Sequence, residues 1–172
     1  MKRLTMACLG ICLILGLAGT ALAQRNPRGT AKVSLGGKDV SVEYGRPSLK
    51  GRTVDQLLGQ LGSEVWRLGA DKSTTFSTAA DLAFGSVTVP KGDYSLWARK
   101  EADGWKLVFN KQHGQWGTQH DASQDLAAVP LKQEKETKSA EQVTITLEKE
   151  ANGGEISIQW GDMELSAKFA AK

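Results

Sequence analysis

Cysteine is almost missing from this sequence. The two it has in 172 residues, Cys8 and Cys12, both fall within the first twenty-three. That stretch opens on Lys2 and Arg3, continues as an apolar run over residues 4–17 and closes on Ala21, Leu22 and Ala23. A cationic start, an apolar middle too brief to span a bilayer comfortably and small residues three and one positions before a cut describe a cleavable secretory signal. We therefore expect residues 1–23 to be removed and residues 24–172 to form one domain in the periplasm or outside the cell. Neither cysteine sits in a lipid-attachment context: Ile11 precedes Cys12 where a small residue is needed, and Cys8 lies too close to the start. A chain starting near Gln24 has no thiol, which excludes disulfides, thiolate catalysis and cysteine-bound metal.

Other shortages narrow the field further. Only two histidines, His113 and His120, are present. No second long apolar run follows the leader, so no membrane span is expected after its removal. Charge of one sign is lacking too. Of the formal net charge of +3, Lys2 and Arg3 supply two, and the remainder is nearly neutral. Nucleic acid is not an expected partner, because phosphate backbones are held by clustered cations. The sequence also lacks a phosphate loop, a dinucleotide fingerprint and a haem attachment motif. Ser48 and Ser95 lack the glycine-flanked elbow that exposes a nucleophile.

What is present is alternation with a period of two. Val33 and Leu35 alternate with polar neighbours, Gly36 and Gly37 turn the chain, and Val40, Val42 and Tyr44 alternate again, a hairpin signature. The same rhythm marks Tyr94, Leu96, Ala98; Trp105, Leu107, Phe109; Val143, Ile145, Leu147; and Ile156, Ile158, Trp160. A last run sets Met163, Leu165, Ala167 and Phe169 inward. Turn residues stand at Pro90 with Gly92, Asp103 with Gly104, Asn152 with Gly153, and Gly161 with Asp162, where reversals are expected. One wet face per strand argues antiparallel sheets. The fold expected is all-β, an antiparallel β-sandwich with an open barrel as the alternative. One short helix is expected near residues 53–61: Thr53 and Gln56 form a capping box, Val54, Leu57, Leu58 and Leu61 share a face, and Gly62 ends the run. The polar segment 132–140 reads as an exposed strand end or loop.

Three segments break the alternation: 44–52, 64–70, and 109–111 with 115–117. Each joins an aromatic or long cationic side chain to a glycine that lets backbone approach closely. Together they are expected to line one end of the sandwich. Guanidinium forks suit carboxylate or phosphate, side-chain amides supply paired donors and acceptors, and indole faces stack on sugars. The candidate ligand-binding residues are Arg46, Arg52, Trp66, Arg67, Asn110, Lys111, Gln115 and Trp116. The packing alternative is that Trp66 and Trp116 anchor the core and Arg67 pairs with Glu64 or Glu43. His113, His120 and Asp121 are weak candidates for a metal site, since their spacing matches no standard ligand motif. No cofactor is expected.

The order of residues 44–52, 65–70, 89–96 and 110–117 resembles a family of exported bacterial proteins catalogued as domain of unknown function number 2911. The likeness runs from about residue 40 to about residue 129. It implies one β-rich exported domain without an assigned activity. The chain departs from the usual pattern at Asp71, where asparagine is more typical, and at His120, where an aromatic is. The reading that results is a non-catalytic, monomeric exported domain that binds a small anionic or sugar-like ligand. Two alternatives are a cell-envelope assembly protein that binds another protein, and a hydrolase using His113, His120 and a carboxylate such as Glu64.

Overall fold

The computed structural model describes residues 26–60 and 65–172. The leader with Cys8 and Cys12, and Leu61, Gly62 and Glu64, lie outside the described residues. Strands dominate: β1 (Arg28–Leu35), β2 (Lys38–Gly45), β3 (Val65–Trp66), β4 (Thr74–Thr78), β5 (Leu82–Phe84), β6 (Val87–Val89), β7 (Gly92–Glu101), β8 (Gly104–Asn110), β9 (Asp125–Glu150) and β10 (Gly153–Ala171). They pair antiparallel in the order β1-β2-β4-β7-β8-β9-β10-β5-β6, with β3 also paired to β7. The path does not close into a barrel. Among the described residues no helix is long and apolar enough to cross a membrane.

The expected alternation is what builds the core. Val40, Val42 and Tyr44 of β2, Leu96 and Ala98 of β7, Leu107 and Phe109 of β8, and Ile156, Ile158 and Leu165 of β10 all turn inward into one apolar cluster. Each fully buried side chain of this size contributes on the order of 1.5–3 kcal/mol. Trp66 lies stacked on Trp160, centroids 5.6 Å apart, and edge-on to Trp105 at 6.4 Å. The single α-helix among the described residues, α1 (Val54–Gly59), begins with the expected capping box: Thr53 Oγ1 accepts from the Gln56 N–H, and Gln56 Oε1 accepts from the Thr53 N–H. Val54 is buried and packs beside Gly161 of β10.

Two expectations about the C-terminal strands need correction. Residues 132–140 are neither a strand end nor a loop but the exposed middle of the 26-residue β9. Gly161 and Asp162 do not reverse the chain. They lie inside β10, where the register against β9 shifts on both sides of Gly161, whose φ is 61°. An irregularity of this kind bends a strand without ending it.

Because β9 pairs with β8 over Asp125–Leu131 and with β10 afterwards, its later part leaves one layer for the other. The segment after β2 receives it. Tyr44 Oη accepts from the Ile145 N–H at 2.9 Å and donates to the Ile145 carbonyl at 3.2 Å. Arg46 Nε donates to the Val143 carbonyl, Val143 N–H to the Pro47 carbonyl, and Leu49 N–H to the Glu141 carbonyl. Removing the buried Tyr44 hydroxyl leaves both polar groups of Ile145 without it, at a cost of about 1–3 kcal/mol. Tyr44→Phe should therefore lower the melting temperature by several degrees, on the order of 2–4 °C per kcal/mol. An unchanged melting curve by circular dichroism would show the tie to be dispensable.

Candidate functional site

The outer face of β7 and β8 is not left wet. Val65, Trp97 and Val108 form a second small apolar cluster there, and the segment 111–124 lies over it. Polar ties hold that segment at both ends. Asn110, fully buried, donates through Nδ2 to the Asp121 carbonyl and to Asp125 Oδ1, both at 2.8 Å, and accepts from the Gln112 N–H at 2.9 Å. Ser95 Oγ donates to the Gln112 carbonyl at 2.6 Å and accepts from Trp97 Nε1 at 2.8 Å and Gln115 Nε2 at 3.2 Å. His120 bonds Asp125 Oδ1 through Nε2 at 2.9 Å, its ring 4.8 Å from that of Trp97. Arg99 approaches the other oxygen of Asp125 at 3.7 Å.

The segment between β3 and β4 is clamped to this overlay. Gly117 N–H donates to the Asp71 carbonyl at 2.8 Å and Ser73 N–H to the Gln115 carbonyl at 2.9 Å. Thr74 Oγ1 donates to the Arg67 and Leu68 carbonyls and closes the excursion on itself. Leu68 and Asp71 both adopt left-handed backbone, with φ of 53° and 64°. Such conformations cost about 1–3 kcal/mol in a non-glycine residue and persist where surrounding contacts enforce them. The start of the first irregular segment meets the same place: a Cβ on Gly45 would stand 2.2 Å from the Ala70 carbonyl oxygen, so only glycine fits.

The side chains named from sequence therefore divide. Gln115 and Trp116 meet the 67–73 segment, and Arg67 lies across Gly117, its Cδ 2.8 Å from where a Cβ would be. Arg46 points away, to Val143 and Thr144 of β9. Arg52 bonds the Leu49 and Ser48 carbonyls beside α1. Trp66 is internal, and Asn110 is fully buried and bonded to Asp125 at the root of the overlay. Lys111 is exposed, with its backbone N–H bonded to the Gln124 carbonyl. His113 is exposed, whereas His120 turns in onto Trp97. Asp121 caps a short turn, where the Ser123 hydroxyl and backbone N–H hold its carboxyl below the ordinary range. Among the described residues no group of three His, Cys, Asp or Glu is placed to hold a metal ion.

Trp116 is the one exposed large apolar side chain among the described residues, with 48% of its surface open. It walls a cleft of about 260 Å³ with Asn26, Arg28, Glu43, Asp71 and Lys72. Arg28 donates through Nε and Nη2 to Glu43 Oε1, at 3.1 and 2.9 Å. Asp71 Oδ2 accepts from the Asn26 N–H at 3.0 Å and from its side-chain amide at 3.4 Å. Of these six residues only Trp116 is among the ligand-binding candidates read from the sequence. The hairpin pattern begins at Val33 and does not reveal that β1 starts at Arg28, whose side chain reaches Glu43, nor that Asn26 approaches Asp71 across 45 residues.

An antiparallel β-sandwich with a polar cleft under one exposed indole is the class that fold and site define. The chain belongs to the family described as "Protein of unknown function (DUF2911)", whose model matches residues 26–169. No curated protein and no solved structure matches it.

Asn110→Ala should loosen the overlay at its root. Loss of three bonds around a buried site is expected to cost about 2–3 kcal/mol, the range for orphaning buried polar partners. Hydrogen exchange should quicken first at the Gln112 amide, and uniform exchange across the chain would argue against a local anchor.

Proposed function

We propose that this protein is an exported, non-catalytic domain that binds a small sugar-like ligand at the cleft beside Trp116. The observation that carries the reading is an indole face left half open next to fixed polar groups of both kinds. A pyranose ring has an apolar C–H face that packs on an indole, and hydroxyls that both donate and accept. The Glu43 and Asp71 carboxylates accept from such hydroxyls, while Arg28, Lys72 and the Asn26 amide donate. The clamp from Asp71 to Gly117 and from Ser73 to Gln115 presets the wall against the floor, so little ordering remains to be done on binding. A cleft of about 260 Å³ suits one ring rather than a long chain.

Hydrolysis finds less support. His120 is committed to Asp125 and Trp97 beneath the overlay, and His113 stands out at its exposed tip. Export rests on the N-terminal pattern, which implies a product beginning at Gln24 and released into the periplasm or beyond.

Titration of the purified chain with a panel of mono- and oligosaccharides, followed by tryptophan fluorescence and calorimetry, tests the assignment. Trp116→Ala should weaken binding about tenfold or more, since a ring-stacking contact and its buried area are worth on the order of 1–2 kcal/mol. Its melting temperature should stay unchanged, as expected of an exposed position. Binding that survives the substitution would place the ligand elsewhere.

A further inference from the structure

The cleft lining balances in formal charge, Arg28 and Lys72 against Glu43 and Asp71, but two cations in and beside it have no partner among the described residues, and a neutral sugar leaves them unused. Among the described residues each arginine but one makes a polar contact: Arg28 with Glu43, Arg46 with β9, Arg52 with two carbonyls, Arg99 with Glu101 and Asp125. Arg67 is the exception. It is partly buried, yet its guanidinium makes no hydrogen bond or ion pair among the described residues. Partial burial removes water from a charge without returning a partner, which is an unfavourable state for a donor fork built to take two oxygens. Lys72 likewise makes no ion pair there, and its backbone is bridged to Trp116. The two cations thus flank the Trp116–Gly117 peptide: Lys72 lines the cleft, and Arg67 lies over Gly117 with Nη1 3.6 Å from the site of a Cβ.

Each nearby carboxylate has one oxygen engaged and keeps the other for hydroxyls. Glu43 receives Arg28, and Asp71 receives both donors of Asn26. The cations that lack a carboxylate partner are Lys72, whose backbone is bridged to Trp116, and Arg67, which lies beside Gly117. We infer that the ligand is an acidic saccharide, whose carboxylate is received by Arg67 and Lys72 while its ring packs on Trp116. This rests on the sugar-binding reading of the cleft and adds the charge. Carboxylate chemistry fits better than a bare inorganic anion, because an anion alone makes no use of the exposed indole.

The test compares uronic acid oligosaccharides, galacturonate and glucuronate forms, with their methyl esters, which keep every ring and hydroxyl but lose the charge. Calorimetry on the full mature chain should show the acids binding about tenfold tighter than the esters, equivalent to ~1.4 kcal/mol. Arg67→Gln combined with Lys72→Met should bring the two forms level, the acid losing more affinity than the ester, which loses only what Lys72 gives its hydroxyls, while Arg67→Lys retains part of the preference. Equal affinities in the unaltered chain, or a preference that persists in the double variant, would overturn the charge assignment and leave sugar binding standing. A chain that binds neutral sugars but neither uronate form would do the same. If no saccharide of either kind binds, or if Trp116→Ala leaves binding intact, the underlying reading fails with it.

Discussion

The passage of β9 from one layer to the other is the constraint around which this molecule is arranged. A strand that leaves its neighbour exposes a run of N–H and C=O groups that must find partners elsewhere or be paid for. Residues 44–49 supply those partners by several different means. A phenol serves both groups of Ile145, a guanidinium serves the Val143 carbonyl, and the backbones of Pro47 and Leu49 pair with Val143 and Glu141. A proline at position 47 is tolerated because only its carbonyl is used. The segment thereby acts as a piece of strand edge without strand geometry, which is why it interrupts the alternation.

That arrangement decides which cations are left without a partner. Arg46 looks like a recognition residue in a linear reading, yet its fork is spent on β9. Gly45, one residue earlier, faces the opposite way and lets the Ala70 backbone approach, so one short segment ties both the second layer and the 67–73 excursion. Through Asp71 and Ser73 the excursion in turn positions the overlay that carries Trp116. The exposed indole is therefore held by backbone bonds from a neighbour that is itself held by the first hairpin, and not by a flexible tip.

Much of this was legible before any coordinates. The inward sets of β1, β2, β7, β8 and β10 follow from period-two alternation, and α1 follows from Thr53 and Gln56, because both signals are local. The short β5 and β6 and the threonine-rich β4 were not seen. In β4 the buried Thr74 and Thr78 satisfy their hydroxyls on nearby carbonyls, so polarity there does not mean exposure. The middle of β9 gives no strand signal because charged side chains stand on both of its faces, and Gly161 reads as a reversal because a bulge and a turn use the same residue. At the site, the glycines correctly marked close backbone approach. The cleft itself arises from contacts between residues far apart in the chain, which no local pattern encodes. His120 makes physical sense in retrospect: its ring fills an aromatic slot against Trp97 and adds a bond to Asp125.

Asp71 brings the structural and chemical arguments together. With a left-handed backbone, its carbonyl takes the Gly117 N–H while its side chain takes Asn26. Asparagine tolerates that conformation better, and it is the residue that the family resemblance leads one to expect there. Aspartate accepts the same strain but adds a negative charge to the cleft. The consequence is selectivity more than strength. With asparagine, Arg67 and Lys72 would draw anions of any shape through an unbalanced positive field, whereas with aspartate most of that field is cancelled at a distance. Under the binding of an acidic sugar that we propose, attraction then survives only for a carboxylate delivered close to both cations, which requires its ring to be already seated on Trp116.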